Sequence, residues 1–328
     1  MKEKELISVI VLNHNGKKFL FKCLDSLSKN TYPNFEIVCV DNASNDGSVE
    51  FVKKEFPKVK IIQNKIGLGF AGGNNIGIKK ARGKYILLIS NDTWVKKDFI
   101  NKITNFYFKN NYDVISPREA SYDGYKDDYY ITLIDLLGHH VFLTGKETKN
   151  KKPFYLTGVS LFFSKKLYIE TGGMDKDFFL YYEDVDWFWR LLLLKKRFSY
   201  IDDVHVYHAG AGSSEGKVNT IKYGIFYYRN RNTLQMLLKN YSLISLIFIL
   251  PIYLVINFAE IVFFLIILRP KIAFSYVEGW LFNIKYLNKT LKKRGWVQKN
   301  RRRNDLDITK KMYLGLGKFR HLLQVLLK

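Results

Sequence analysis

Acidic residues follow two apolar runs of the chain at the place where each run ends. Asp41 follows Phe35–Val40, and Asp92 comes shortly after Tyr85–Ile89. Runs of this length are typical of buried parallel strands, and sheets of that kind bind ligands at the carboxyl ends of their strands. A carboxylate there can bind Mg²⁺ or Mn²⁺ together with substrate phosphates, which suits a reaction with a diphosphate leaving group. The alternative is that Asp92 caps the next helix.

Further on, the sequence YYEDVDW places Glu183, Asp184 and Asp186 where a helix begins, and His208 ends an alternating strand. A carboxylate in this position can act as a general base. The alternative is an acid that stabilises the first turn of the helix. His205 and His208 point to opposite faces of the strand, so His208 is either a ligand or an ordinary structural histidine.

Strands and helices alternate through the first third of the chain. We predict strands at Leu6–Leu12 and Val59–Gln63 besides the two runs above, with helices at Lys17–Asn30 and Val49–Glu55. The first helix carries apolar residues at positions i, i+3, i+4 and i+7. This alternation predicts an α/β fold with a mainly parallel sheet and helices on its faces.

A glycine-rich stretch, Gly67–Asn75, is predicted to form a turn into a helix at Ile76–Arg82. Glycines before a helix let backbone amides approach a pyrophosphate. The first strand, however, leads into Asn13–Gly16 and not into GxGxxG. This favours a general nucleotide-binding sheet over a nicotinamide site.

The middle of the chain is less regular. We predict a helix at Trp94–Asn111, a strand at Val114–Pro117 and a strand at Tyr155–Phe163 that contains Gly158. A glycine inside a strand marks a place where a ligand or another backbone passes closely. Residues 118–152 show no clean period, and we expect a lid or acceptor-binding loop there.

Composition limits the partners. The 328 residues include 53 Lys and Arg against 30 Asp and Glu, and the last 88 residues hold 16 basic and four acidic ones. Such a charge suits nucleic acid, a phosphorylated substrate or an acidic membrane face. Only two cysteines occur, Cys23 and Cys39, and the charged N-terminus does not have the form of a signal peptide. We therefore expect a reducing compartment and a cytoplasmic catalytic domain.

These motifs together resemble the family 2 glycosyltransferases with the GT-A nucleotide-diphospho-sugar transferase fold, particularly a rhamnosyltransferase-like branch that builds surface polysaccharides. The resemblance covers about residues 6–214. It rests on SVIVLNHNG, EIVCVDNASNDGS, GFAGGNNIGI, GKYILLISNDT, FFLYYEDVDWFWR and VYHAGAGSS, which occur in the expected order.

The resemblance assigns a role to each candidate residue. The nucleotide-sugar-binding residues that it implies are Asn13, His14, Asp41, Asn75, Asn91 and Gly158, with Asp41 binding the base. It implies that Asp92 and His208 bind Mn²⁺ or Mg²⁺, and that Asp184 is the general base. Asn91 departs from a strict double-acid motif, so His208 would supply the second metal ligand, which favours Mn²⁺.

The carboxyl-terminal third reads as membrane-associating. After a basic aromatic helix at 223–240, the apolar segment 241–268 is long enough for one transmembrane crossing. Basic residues flank it on both sides, so either it turns back at Pro251 or Ile272–Leu287 returns to the same side. The latter segment is amphipathic and suits the membrane interface. In a membrane-associated protein, Lys292–Arg303 would bind anionic headgroups or a lipid diphosphate. The alternative is that the two apolar segments form a buried pair of core helices.

We therefore predict a GT-A catalytic domain at 1–222 and a membrane-associating helical region at 223–328. The expected reaction is inverting, metal-dependent transfer of a hexosyl or rhamnosyl group from a nucleotide-diphosphate sugar to a lipid-linked or growing glycan acceptor. One rival hypothesis is transfer directly to polyprenyl phosphate, and another is a non-catalytic scaffold that binds glycan or membrane. A nucleic-acid partner is not expected, because no recognition motif accompanies the basic run.

Overall fold

The structure is a computed structural model that describes residues 4–124, 130–210, 223–318 and 320. Contacts between residues divide the chain into two compact units. The first comprises Met1–Tyr129, Leu156–Phe179 and Lys196–Lys217, and the second comprises Tyr130–Tyr155, Leu180–Lys195 and Val218–Lys328. The units are interleaved along the sequence, so they differ from the predicted domains, whose boundary after residue 222 stays a prediction.

The first unit is built on a mixed sheet. In the described part of the chain this sheet has eight strands, in the order β3-β2-β1-β4-β9-β6-β10-β5. The strands are β1 (Ile7–Asn13), β2 (Phe35–Asp41), β3 (Lys60–Gln63), β4 (Tyr85–Ser90), β5 (Thr93–Trp94), β6 (Val114–Ser121), β9 (Ser160–Ser164) and β10 (Phe198–His208). Strands β1 to β4 are parallel to their neighbours in that group, whereas β9 is antiparallel to both β4 and β6.

Five helices of the described chain accompany this sheet: α1 (Lys17–Ser28), α2 (Ser48–Glu55), α3 (Gly69–Lys80), α4 (Phe99–Lys109) and α5 (Lys165–Glu170). The apolar face predicted for the first helix is confirmed, since Leu20, Cys23, Leu24 and Leu27 are all fully buried in α1. Strand β1 is buried on both faces, which explains why its sequence is a continuous apolar run.

The glycine-rich stretch is helical, and the prediction of a turn before Ile76 is wrong. Helix α3 starts at Gly69 and contains every glycine of the stretch except Gly67. A Cβ at Gly73 would lie 2.4 Å from a Leu12 methyl carbon, and one at Gly77 would lie 2.6 Å from a methyl carbon of Ile10. These glycines let the helix axis approach the sheet, so their role is close packing.

Three predictions for the middle of the chain need correction. Residues 118–152 are not an irregular loop: β6 extends to Ser121, and β7 (Tyr130–Ile134) pairs with β8 (His140–Thr144) as an antiparallel hairpin; residues 125–129 lie outside the described part. Trp94 belongs to β5, so the following helix starts only at Phe99. Gly158 precedes β9 and is not inside the strand.

The second unit holds the hairpin and, in its described part, six α-helices. They are α6 (Glu183–Leu193), α7 (Tyr223–Asn240), α8 (Leu243–Ile266), α9 (Pro270–Lys285), α10 (Leu287–Asn300) and α11 (Asp305–Thr309). Helix α6 is almost wholly buried, including Trp187 and Trp189. The helix predicted over 223–240 is confirmed by α7.

Helix α8 has the properties of a membrane-spanning segment. Among the described residues it is the one helix that is long and apolar enough to cross a membrane, and only 17% of its most apolar window is buried. Ile244, Phe248 and Val255 are 67–72% exposed, so the hypothesis of a buried core helix is wrong for α8. The helix continues through Pro251, and the predicted turn there is absent. Helix α9 is amphipathic as predicted, with Ile272, Tyr276 and Asn283 buried.

Candidate functional site

The carboxyl ends of β1, β2 and β4 bring three predicted residues together. Asn13 and Asp41 are register partners at the ends of β1 and β2. The Asn13 amide donates to Asp41 Oδ1 over 3.2 Å, and the Asn91 amide donates to Asn13 Oδ1 over 2.7 Å. Asp41 Oδ2 accepts a hydrogen bond from the Ser44 backbone amide. The buried Asn13 thus connects the loop after β2 to the loop after β4.

The neighbouring loops are held by a residue that the sequence analysis missed. Asn42 is buried; its side-chain amide donates to the Gly69 carbonyl, and its Oδ1 accepts from the Leu68 amide. The backbone carbonyl of Asn42 lies 2.9 Å from His14 Nδ1. Asn42 therefore ties His14 and the start of α3 to the end of β2. Its position directly after Asp41, at the end of a buried strand, is the signal that could have identified it.

Asp92 and His208 lie side by side, as the resemblance implies. Asp92 is 2% exposed at the end of β4, and its Oδ2 is 3.3 Å from His208 Nε2. The other ring nitrogen of His208 lies 3.1 Å from Glu119 Oε2. Strand β10 carries His208 to this position, and the Ala209 amide donates to the backbone carbonyl of Asp92. The imidazole is thus held between two carboxylates.

Glu119 is the second residue that the sequence analysis missed. It lies on β6, beside β10, and its Oε1 accepts a hydrogen bond from the hydroxyl of Thr157. Thr157 immediately precedes Gly158. The residue after Gly158, Val159, accepts a hydrogen bond at its backbone carbonyl from the Ser90 amide. The strand β6 also carries Ser116, Arg118 and Ser121, so its sequence shows no clear strand pattern around Glu119, and residues 118–152 were read as an irregular loop. Gly158 thus belongs to a segment that contacts both Glu119 and the end of β4.

The electrostatics of His208 follow from this geometry. Burial disfavours its positive charge, but the hydrogen bonds to Asp92 and Glu119 and the charges of these carboxylates outweigh burial and raise the pKa of His208 to about 10. His208 is therefore an imidazolium at neutral pH in the protein alone. A divalent cation would replace that proton as the partner of the carboxylate oxygen and the ring nitrogen.

The donor set fits a divalent cation. Asp92 offers a carboxylate and His208 an imidazole, while Glu119 orients the ring from behind, which is the arrangement common to metal-binding histidines. Within residues 4–124, 130–210, 223–318 and 320, no group of three or more His, Cys, Asp or Glu side chains could hold a metal ion by itself. Mg²⁺ sites in proteins typically use one or two carboxylates, with substrate phosphates completing the coordination.

Asn75 occupies a different environment from the residues above. Its side-chain amide donates to the Met174 carbonyl over 2.9 Å, and its Oδ1 accepts from the Tyr168 hydroxyl over 2.7 Å. These bonds use the amide to fix the segment after α5. A contact between Asn75 and a nucleotide stays a prediction.

In the second unit, Glu183 and Asp184 occupy contrasting environments at the start of α6. Glu183 is 6% exposed, and its Oε2 has no hydrogen-bond partner among the residues that the structure describes. Burial, and next the charge of Asp184, raise the pKa of Glu183 well above its ordinary value. Asp184 is half-buried, and its Oδ1 accepts from the Val185 amide. The two adjacent carboxyl groups therefore differ in burial, and burial favours the protonated form of Glu183.

Asp186 links helices α6 and α7. It is fully buried, and its Oδ2 accepts hydrogen bonds from Arg190 and Lys239, while its Oδ1 accepts from Asn240. Arg190 and Lys239 are themselves at most 4% exposed. These contacts join α6 to the end of α7.

Comparison with known proteins agrees with this description. The family model described as glycosyl transferase family 2 matches residues 8–172. Glycosyltransferase GlyG of Streptococcus pneumoniae is 32% identical over 130 residues, which are 38% of this chain and 43% of GlyG. The enzyme WfaP of Escherichia coli, a UDP-Glc:alpha-D-GlcNAc-diphosphoundecaprenol beta-1,3-glucosyltransferase, is 29% identical over 136 residues, which are 36% of this chain and 54% of WfaP.

A solved structure shares the fold. The crystal structure of GalNAc-T7 with UDP, GalNAc and Mn²⁺ is similar with a TM-score of 0.57 at 18% identity, over 72% of this chain and 48% of that chain. At this identity the similarity shows the fold alone, which is the expected GT-A fold. The matched region is about half the length of each of these proteins.

Proposed function

Because this chain belongs to glycosyl transferase family 2, we propose that it transfers a sugar from a nucleotide-diphosphate sugar to a lipid-linked or growing cell-surface glycan. The transfer inverts the configuration at the anomeric carbon. The observation that carries this proposal is the pairing of Asp92 with His208 at the same sheet edge as Asn13 and Asp41. A cation site beside a polar, buried edge suits the diphosphate and nucleoside of one donor molecule.

In this proposal Asp92 and His208 hold Mn²⁺ or Mg²⁺, and Glu119 keeps the imidazole in place. The cation, when bound, supplies positive charge that stabilises the departing nucleoside diphosphate. Mn²⁺ is present in the structurally similar GalNAc-T7, and an imidazole ligand favours Mn²⁺ over Mg²⁺.

The donor nucleotide binds along the sheet edge. Asp41 accepts hydrogen bonds from the base, and Asn13, His14 and Asn91 line the same edge. Burial of Asn13 and Asp41 supports this role, because a preformed polar edge loses little entropy when a ligand binds. Asn75 and Gly158 are further nucleotide-sugar contacts in this proposal.

Asp184 acts as the general base. It accepts the proton of the acceptor hydroxyl as the hydroxyl oxygen forms its bond to the anomeric carbon, and the bond to the nucleoside diphosphate breaks with its electron pair leaving on the diphosphate. Glu183 does not take this role in our proposal, because burial and the charge of Asp184 raise its pKa and disfavour its carboxylate form. Two adjacent carboxyl groups with different environments are a recurrent way to keep one of them ionised.

The acceptor is proposed to be attached to a membrane lipid. WfaP acts on a diphosphoundecaprenol-linked sugar, as its name states, and α8 is exposed and apolar over a length that spans a membrane. We propose that the chain associates with the membrane through α8 and α9, and that its catalytic residues face the cytoplasm. The basic residues of α10 would then face anionic headgroups.

The test is a panel of nucleotide sugars offered to the full chain in detergent with a glycan-diphospholipid acceptor and, separately, with polyprenyl phosphate. We expect one donor to be consumed, with the anomeric configuration inverted in the product, as read by NMR. Asp184→Asn should keep donor binding and lose transfer. A product with retained configuration would contradict the mechanism, and transfer to polyprenyl phosphate alone would reassign the acceptor. If no donor turns over while glycan or lipid still binds, the scaffold hypothesis replaces it.

A further inference from the structure

The backbone before α6 is strained. Tyr181 and Tyr182 both have positive φ angles, of 67° and 70°, in the left-handed region that residues other than glycine rarely adopt. Tyr182 is the residue at the N-cap of α6, and no side chain caps the helix from that position. Asp184 follows two residues later. Strained backbone of this kind persists only where its surroundings hold it, and it concentrates at functional sites.

One buried side chain of α7 holds this strained segment. Asn232 is fully buried, and its amide nitrogen donates to the carbonyl oxygens of Leu180 and Tyr181 over 2.8 and 2.7 Å. Its Oδ1 accepts from Arg231 Nε over 2.8 Å. The orientation of the amide is thereby fixed, because turning it would set its oxygen against two carbonyl oxygens. The adjacent Thr233 bonds to the hydroxyl of Tyr182.

We infer that Asn232 is a positioning residue: it holds Tyr181 and Tyr182 in the left-handed conformation that sets where Asp184 lies. The inference rests on the proposed role of Asp184 as general base. Asn232 touches no reacting atom, so it acts through the loop. Small displacements of a catalytic group lower turnover strongly, so we expect the effect of Asn232 in the transfer step.

The chain offers a matched control for this inference. Asn283 of α9 is also buried, and its amide also donates to two backbone carbonyls, those of Arg231 and Gly279. Neither carbonyl belongs to the segment before α6. Asn232→Asp and Asn283→Asp therefore disturb the same kind of interaction in the same helical unit, and only the Asn232 amide bonds to the loop itself.

The experiment measures transfer and donor binding for both variants in the full chain. Asn232→Asp should lower kcat for transfer roughly 10- to 100-fold, while the donor dissociation constant stays within about twofold, because the loss is in the chemical step. Asn283→Asp should keep kcat within about threefold of the parent chain. Equal loss of kcat in both variants would overturn the inference, because it would reflect general destabilisation.

A second variant tests the role of the backbone directly. Glycine adopts positive φ without strain, so adding Tyr181→Gly to Asn232→Asp should restore part of the lost kcat. No recovery in a double variant that folds as the parent does would also overturn the inference. If the parent chain transfers no sugar to any acceptor, the proposed function fails instead, and the two failures are therefore distinguishable.

Discussion

The buried ionic cluster between α6 and α7 should respond unequally to the loss of its acidic and its basic members. Asp186 accepts hydrogen bonds from Arg190 and Lys239, each over 2.9 Å, and all three side chains are almost completely buried. The cluster therefore places two cations on one carboxylate. We expect the free energy of unfolding to depend very differently on which member is removed.

Asp186→Asn leaves two buried cations facing each other without the carboxylate that compensates both. Removing one partner of a buried ion pair typically costs about 3–5 kcal/mol, and the repulsion between Arg190 and Lys239 places this variant at the upper end. Lys239→Met removes one of the two cations that share the Asp186 carboxylate. Asp186 keeps its bonds to Arg190 and Asn240, so we expect a loss of about 1–2 kcal/mol, comparable to one hydrogen bond to a charged group.

Denaturation by urea in detergent, followed by tryptophan fluorescence, can measure both losses. Trp187 and Trp189 flank the cluster on α6 and are fully buried, so they contribute to the unfolding signal together with Trp94, Trp280 and Trp296. Asp186→Asn should shift the midpoint several times further than Lys239→Met. Equal shifts, or a larger one for Lys239→Met, would refute the reasoning, because the carboxylate would then not be the centre of the cluster.

Three further predictions follow from other parts of the chain. Burial alone would raise the pKa of Asp135, but hydrogen bonds from His139 and Gly317 outweigh burial and lower this pKa. The ionised Asp135 therefore stabilises the fold fully above its unfolded pKa of about 4, and this stabilisation is lost as the pH falls through the lower pKa of the folded state. The urea midpoint should thus decrease less in acid for Asp135→Asn than for the parent chain. Gly77→Ala, which crowds Ile10, should cost about 1–3 kcal/mol, whereas Gly295→Ala, with open space around it, should stabilise by about 0.5–1 kcal/mol; thermal unfolding compares them. His208→Ala should raise the Mn²⁺ concentration for half-maximal turnover at least about tenfold, the minimum expected even for an outer-shell change, and an unchanged requirement would remove His208 from the metal site.

Much of the site could be predicted from sequence because local signals mark strand ends. Asn13, Asp41 and Asp92 each follow an apolar run, and parallel pairing of β1 with β2 and β4 brings these run ends to one edge. The partner of Asp92 needed more than local signals. The resemblance gave His208, but Glu119 lies on β6, and only the pairing of β6 with β10 places it beside the imidazole.

The errors have physical causes as well. Glycines in α3 were read as a turn because glycine disfavours helices, yet contacts with Leu12 and Ile10 require the absence of a side chain there. The β7–β8 hairpin was missed because its strands are short and carry polar and histidine residues. The positioning role inferred for Asn232 depends on a contact across 51 positions of sequence. No periodic pattern could have identified it.

The central claim is that Asp92 carries the metal-dependent step of sugar transfer, and one comparison tests it most directly. Release of nucleoside diphosphate from the preferred donor is measured against Mn²⁺ concentration for the parent chain, Asp92→Asn and Asp203→Asn, the last being an exposed acid on β10. We expect metal-dependent release in the parent chain and in Asp203→Asn, and loss of at least about 100-fold in Asp92→Asn, as expected for removal of a group that stabilises the transition state. Release that is independent of metal, or that survives Asp92→Asn, would contradict the claim.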